Sequence, residues 1–476
     1  MPKEFIVAIE LGSSKITGIA GKKNLDGSTS ILAVVEEDAT SCIRKGVIYN
    51  IDKTVLALSV IVKRLEKQLK NKISQVYVGV GGQSIRSVRN VIVKDLEEDT
   101  KVSKDMIDEL MDANRSMTYP EQEILDAVTQ EYKVDTQYQI DPVGIQCRRL
   151  EGNFLNILWR KTFYRNLNKC FENANIPIAE MYLAPLAMAD AVLTEAEKRS
   201  GCMLVDLGAD TTTVSIYYKN ILRHLAVIPL GSENITKDLE TLAIEHEEAE
   251  ELKIKHASAY TDDADIDPTN MMKVNSEREI STRDFIEMVE GRMWEIIDNV
   301  KYQIPNDYID KINGGIIVTG GGSNIRNIEK AFRKYTNIDK VRVASFVLPV
   351  INANQHEITA RDGKMNTILG LIIKGDMNCS GGELNTDLFE GSEEKEPTFE
   401  GVPHSQQGTG KVQTEAEKQQ AEEEARRKRE EEERQKEEEE RKLREEEIRQ
   451  RKENSPLHKL LRAITNFGKK MIEEEE

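Results

Sequence analysis

The sequence predicts an α/β protein long enough for more than one domain, and within it one local pattern occurs three times. Gly201 to Tyr217 reads GCMLVDLGADTTTVSIY. Its apolar run Met203 to Val205 meets Asp206, turns at Gly208 and returns with alternating β-branched residues, the signature of a hairpin with a short acidic turn. Phe5 to Ala20, FIVAIELGSSKITGIA, repeats this with Glu10, Gly12, Ser13 and Ser14. Gly314 to Phe332, GGIIVTGGGSNIRNIEKAF, carries a strand into Gly320, Gly321, Gly322 and Ser323 and then a helix. Such turns can aim N–H groups at an anion while a neighbouring carboxylate awaits a cation. Glycine permits close backbone approach, and a helix N-terminus favours negative charge. One turn of this kind is equally an ordinary tight turn; three in one chain point to phosphate.

In chain order, residues 1–83 begin with the first hairpin and a strand at Ser30 to Val35. A helix is predicted over Asp52 to Lys70, where Val55, Leu58, Ile61, Val62, Leu65 and Leu69 recur at helical spacing, and a strand over Gln75 to Val80. Gly79, Gly81 and Gly82 do not make a dinucleotide motif, because QSIRSVRNVIV continues as a β-pattern and opens no helix. Residues 84–162 read as a short α+β insertion without a nucleotide signature. Residues 163–199, including AEMYLAPLAMADAVL, read as helical, and 231–311 as rich in helix and charge, with a helix marked by Phe285, Ile286, Val289, Met293 and Ile296.

Composition narrows the function classes. A formal net charge of −18 over 476 residues argues against general nucleic-acid affinity. Five cysteines without pairs or metal spacing suggest free thiols in a reducing compartment. The start of the chain enters a strand with no basic leader, and no apolar run approaches the roughly 20 residues of a spanning helix.

Four further stretches accompany the three turns: VGVGGQSIRSV at 78–88, QEYKVDTQYQIDPVGIQCRRL at 130–150, VIPLGSENITKDLE at 227–240 and AEELKIKHASA at 249–259. Together, over roughly residues 1–376, they resemble the actin, Hsp70 and sugar-kinase superfamily and within it the bacterial cell-division FtsA family. The resemblance implies an actin-like fold of two RNase H-like domains around a nucleotide cleft. Its subdomains would be 1A at 1–83, 163–199 and 352–378; 1C at 84–162; 2A at 200–230 and 312–351; and 2B at 231–311. It also implies ATP and Mg²⁺ in the cleft, with Glu10 and Asp206 at the metal. Gly12, Ser13 and Ser14, and Gly208, Asp210, Thr211 and Thr212, would meet phosphates. Gly320, Gly321, Gly322 and Ser323 would meet adenosine, with Glu250 and Lys253 at its sugar. Read without the resemblance, Glu250 and Lys253 are equally a solvent-facing i, i+3 ion pair.

Three departures from the family pattern bear on activity. Ala209 and Asp210 stand where the pattern has glycines, so Ala209 is expected to raise the cost of a positive φ by about 1 kcal/mol. Asp210 would either help hold Mg²⁺ or repel phosphate. Glu10 stands for the usual Asp, one methylene longer, and is expected to reach the metal through water. Ala184-Pro185 occupies the place where hydrolysing relatives orient a water, and supplies no base. ATP binding is therefore expected and ATPase activity is expected to be weak or absent.

The resemblance further implies self-assembly into filaments, contacts with other division proteins through 1C, and docking of the C-terminal peptide of the tubulin-like FtsZ on 2B, where Arg283 and Arg292 are candidate partners. Residues 379–413 read as a disordered linker. Residues 414–453 read as a solvated single helix, with pairs such as Glu430/Arg434 and Glu440/Arg444 at i, i+4 and too few apolar residues for a coiled coil. If continuous, it spans roughly 60 Å at 1.5 Å per residue. In 454–476, Leu457, Leu460, Leu461, Ile464, Phe467 and Met471 share one face opposite Lys459, Arg462, Lys469 and Lys470, the pattern of an interfacial membrane helix. The expected location is the cytoplasmic face of the membrane at the division site. A small-molecule kinase of the same fold is the alternative; a chaperone-like ATPase is disfavoured, since no substrate-binding β-domain follows.

Overall fold

The apolar run at Phe5 to Ile9 is buried on both sides, which demands a strand with neighbours left and right. In the computed structural model, which describes residues 4–262, 270–275, 278–380 and 410–412, the strand Ile6–Leu11 is the middle of a seven-stranded sheet. It pairs antiparallel with Lys15–Lys23, in register from Ile6 opposite Gly21 to Leu11 opposite Ile16. Thr29–Asp38 continues that meander. On the other side Val76–Val80 runs parallel to it, followed by Ile178–Leu183. The spacer and membrane-helix expectations fall outside the described residues, as does most of the expected disordered linker 379–413. Its described ends are ordered instead, with Cys379 buried and its N–H donating to Phe5 O at 2.9 Å, and Lys411–Val412 paired antiparallel with Met181 and Tyr182 as the edge of the first sheet.

Helix Ile51–Leu69 starts where Asn50 Oδ1 accepts from Lys53 N, one residue before the expected start. It buries Leu58, Ile61, Leu65 and Leu69. A Cβ at Gly18 would lie 2.4 Å from Ile61 Cγ2, so the glycine lets the helix settle on the strand. Helix Asn366–Lys374 approaches as closely at Gly79, where a Cβ would lie 2.4 Å from Leu371 Cδ1.

The helical expectation for 163–199 is corrected as well. Residues 163–199 are not helical throughout: between helices Lys161–Asn173 and Ala184–Val192 lies the strand Ile178–Leu183. Pro185 sits in the first turn of the second helix. Lacking an N–H, it cannot continue a helix from upstream, and it favours a start there. Tyr182 stacks on Tyr77 of the neighbouring strand with ring centroids 6.1 Å apart.

A second sheet runs Val341–Val343, Gly315–Thr319, Cys202–Leu207, Thr212–Tyr218 and Ile221–Ile228, and then continues into Arg86–Lys101, Gln146–Arg160, Gln122–Val134 and Gln137–Gln139. The residues expected as a short insertion thus form long strands with helix Lys104–Arg115 against them. The join is narrow: Ala226 opposite Arg86, Gln130 Nε2 to Leu222 O at 2.9 Å and Leu225 N to Ser87 Oγ at 2.8 Å. Arg223, 3% exposed, donates to Gln130 and Glu131 there. The far side of the second sheet's first five strands is packed by helices Glu233–Glu240, Thr282–Tyr302 and Ile328–Thr336, through Ile235, Phe285, Val289 and Phe332.

At the joint between the sheets, Asn366 Nδ2 donates to Thr319 Oγ1 at 2.9 Å and Ala344 O at 2.8 Å, and Arg342 pairs with Glu197 at 2.7 Å. Gly370 of the closing helix touches backbone: a Cβ would lie 2.6 Å from Ala187 O and 2.8 Å from Ala187 C. Backbone cannot rotate aside, so Gly370→Ala is predicted to lower unfolding free energy by about 1–3 kcal/mol, read as a lower denaturant midpoint at unchanged slope.

Candidate functional site

The first and second sheets each end one hairpin at the same place. The turn after Ile6–Leu11 and the turn after Cys202–Leu207 meet the turn after Gly315–Thr319 around a cavity of about 580 Å³, within the size range of small-molecule sites. Each turn brings backbone close. A Cβ at Gly12 would lie 2.7 Å from Lys15 O, and one at Gly208 2.9 Å from Thr211 O. Gly320 is more restricted, with φ +84° and Asp206 Oδ1 at 2.3 Å from a hypothetical Cβ; no other residue fits without moving that carboxylate.

Of the sequence-predicted residues, Glu10, Gly12, Ser13, Ser14, Asp206, Gly208, Thr211, Glu250, Lys253, Gly320, Gly321 and Gly322 line the cavity. Three others do not. Thr212 turns inward, fully buried, and donates to Leu230 O at 2.8 Å; the strand's two-residue period gives the cavity Thr211 and Thr213 instead. Ser323 Oγ donates to Gly320 O at 2.7 Å. Asp210 Oδ2 accepts from Lys45 N at 3.0 Å.

Two local expectations also change. Ala209 is absent from the positive-φ positions, so the expected steric cost does not arise. Ser232 N and Glu233 N donate to the carbonyls of Gly208 and Ala209, at 3.0 and 2.8 Å, and hold Ala209 in a conformation without positive φ. The glycine triplet runs straight into a 3₁₀ turn, Gly321–Asn324, which takes in its last two glycines, and the α-helix begins only at Ile328. Its N-terminus is therefore not the element that meets the cavity.

Glu10 and Asp206 dominate the electrostatics. Burial and then the charge of Asp206 push Glu10 up to about 8. Burial pushes Asp206 up to about 6. No cation contributes to either shift, so two uncompensated acids share the floor of the cleft. A divalent cation would reverse both shifts. Among the described residues no group of three His, Cys, Asp or Glu is placed to hold a metal. A cation here needs further oxygens from water or a ligand, the habit of Mg²⁺ rather than of an all-protein cage. The donor set and the glycine cradle thus fit a phosphate-bound cation.

Lys253 is buried and held at 2.5 Å from Glu250 and 2.8 Å from Thr236 Oγ1. The i, i+3 pair is real, yet it faces the cavity. Lys253 and Thr236 keep Glu250 below the usual carboxylate range against its burial. Arg283 is exposed and pairs with Glu287 at 2.7 Å. Arg292 makes a two-pronged pair with Asp238, at 2.6 and 2.8 Å, and another with Glu295, so its guanidinium is committed within its own subdomain. Sequence reasoning missed Lys15, Ser232, Glu233, Ile254, Lys364 and Thr367, which also line the cavity. Lys15 directly follows the first turn and was within reach of a local reading.

Comparison with known proteins follows the same outline. The family profile described as "Cell division protein FtsA" matches residues 203–368, and that described as "SHS2 domain inserted in FTSA" matches 82–158. The chain is 31% identical over 389 residues to the cell division protein FtsA of Porphyromonas gingivalis, covering 80% of each chain. It is 30% identical over 376 residues to that of Bacillus subtilis, covering 78% of this chain and 83% of the relative. Among solved structures, the PilM-PilN type IV pilus biogenesis complex contains a chain superposing with a TM-score of 0.53 at 12% identity, over 78% of this chain and 99% of that one, a likeness of fold alone.

The raised acids fix a pH dependence. A carboxyl whose folded-state value lies above its unfolded value contributes stability that is fully present below the unfolded value and lost as pH rises through the folded one. Without a cation, Glu10 contributes a loss of stability from pH about 4.5 up to about 8. Glu10→Gln removes that share. Relative to wild type, the variant is predicted to gain at least about 1.4 kcal/mol between pH 5 and 8, the worth of one pKa unit, read from urea midpoints in a metal chelator.

Proposed function

The chain belongs to the cell division protein FtsA family, and from that premise we propose that it binds ATP with Mg²⁺, polymerises, and tethers FtsZ filaments to the cytoplasmic face of the membrane at the division site. Its actin-like fold and division role follow from the family. The observation that supports nucleotide binding is the meeting of three backbone turns around the Glu10 and Asp206 carboxyls.

In this reading Gly12, Ser13 and Ser14, with Gly208 and Thr211, take the phosphates, and Lys15 adds a positive charge beside them. Glu10 and Asp206 hold the cation through its water. Glu250, Lys253 and Gly320 to Gly322 take the nucleoside, with Ile254, 73% exposed, offering an apolar flank. The cation neutralises phosphate charge, and the nucleotide bridges the two sheets. Ala184 and Pro185 line one wall and supply no general base, so turnover is slow or absent.

The inserted domain is the surface for neighbouring subunits and other division proteins. The helical subdomain bearing Arg283 receives the acidic C-terminal peptide of FtsZ, and Arg292 takes part only by leaving Asp238. No helix of the described residues is long and apolar enough to cross a membrane. Attachment rests on the sequence pattern of 454–476, with Leu457, Leu460, Leu461, Ile464, Phe467 and Met471 facing lipid. One short helix of this kind binds marginally, and assembly multiplies its grip.

MgATP at about 100 times its Kd is expected to stabilise the full chain by about 2.7 kcal/mol, seen as a thermal shift, and Gly320→Val to abolish it. An unchanged melting curve for wild type contradicts the nucleotide reading. In liposome co-sedimentation, a chain ending at Glu453 is expected in the supernatant while the full chain pellets and carries the FtsZ peptide with it. Equal pelleting of both chains contradicts the tether.

A further inference from the structure

The tip of the short hairpin Ile43–Arg44 with Val47–Ile48 touches three things at once. Lys45 and Gly46 form its two-residue turn with φ +50° and +70°, a shape that matches the strand twist and presents successive N–H groups outward. Lys45 N donates to Asp210 Oδ2 at 3.0 Å. Gly46 N donates to Ser13 Oγ at 2.8 Å. Ser13 belongs to the turn of the first sheet and Asp210 to the turn of the second. The tip therefore spans the two phosphate-end loops.

Its third contact is with the root of the inserted domain. Gln83 N donates to Lys45 O at 2.8 Å. Gly46 and Gly82 are in backbone contact, a Cβ on Gly82 falling 2.3 Å from Gly46 O. The root itself is strained. Gly82 has φ +108° and Ser84, which is not glycine, φ +83°. The buried Ser84 Oγ has no hydrogen-bond partner among the described residues. A non-glycine residue in that region with an orphaned hydroxyl persists only when its surroundings hold it, and the Lys45–Gly46 turn is one neighbour that holds it.

We propose that the Lys45–Gly46 turn is a relay in which Asp210 and Ser13 hold its N–H groups and it in turn holds the strained Gly82–Ser84 root, so that the spacing of the two phosphate-end loops sets the orientation of the inserted domain. Asp210 is then a positioning residue, acting through the turn. The proposal deepens the nucleotide reading, because a ligand that draws the loops together tightens the relay. The relay itself requires no nucleotide.

Amide hydrogen exchange on the full chain without nucleotide tests it. The informative amide is that of Gln83, which touches the turn and not Asp210. Asp210→Ala is expected to speed its exchange about tenfold or more, a local opening, and Asp210→Asn, which keeps an acceptor, to stay within about threefold of wild type. Ser84→Gly relaxes the root, so in that background the effect of Asp210→Ala is expected to shrink to about threefold or less. Unchanged Gln83 exchange in Asp210→Ala overturns the proposal, as does an undiminished effect in the Ser84→Gly background. A failed MgATP thermal shift leaves these outcomes intact and counts against the nucleotide reading alone.

Discussion

Two acids brought face to face from different sheets are the constraint on which the arrangement turns. Glu10 ends one central strand and Asp206 another, and each is held deep in the cleft without a protein cation. Burying like charges together is unfavourable unless a proton or a metal compensates. The glycines around them give that compensation a shape: Gly12, Gly208 and Gly320 leave room where any side chain would collide with backbone or with Asp206 itself. The cleft is thus poorly satisfied alone and well matched to a polyanion carrying its own cation.

Rigid contacts at one end of the cleft make the matching possible. The bonds from Asn366 to Thr319 and Ala344, and that from Arg342 to Val192 O, tie the helix Asn366–Lys374 and the second sheet to the core of the first. At the other end the inserted domain continues the second sheet through one backbone pair and the buried Arg223. The insertion therefore rests on the second sheet while its chain grows from the strand next to Ile6–Leu11 in the first. Any change in the spacing of the sheets acts on it from both sides.

Much of this was legible in the sequence because it is local. A strand and a glycine turn occupy a dozen consecutive residues in each copy, with an acid in the first two, and those two fold as the hairpins their pattern requires, while the helix of the third begins only at Ile328. Side-chain direction was less legible. The turn pattern alone puts Thr212 among the phosphate ligands, although the period of a strand assigns it the opposite face from Thr211 and Thr213. Ser323 satisfies itself within its own turn, as short hydroxyl side chains often do. Ala209 was expected to be strained, yet the N–H groups of Ser232 and Glu233, two dozen residues on, set its conformation. The strand Ile178–Leu183 was hidden because a buried parallel strand and a buried helix look alike in an apolar run, and only Pro185 marks the boundary. The join between insertion and second sheet depends on residues 92 or more positions apart and leaves no trace in either segment.

A cation and phosphates between Glu10 and Asp206 are what the proposed function requires. A crystal structure of the full chain with Mg²⁺ and a non-hydrolysable ATP analogue addresses this most directly. The expected result is a metal ion whose waters reach both carboxylates, with phosphate oxygens against the N–H groups of Gly12 to Ser14 and Gly208 to Thr211. An empty cleft at saturating analogue, or a nucleotide seated away from the two acids, would contradict it.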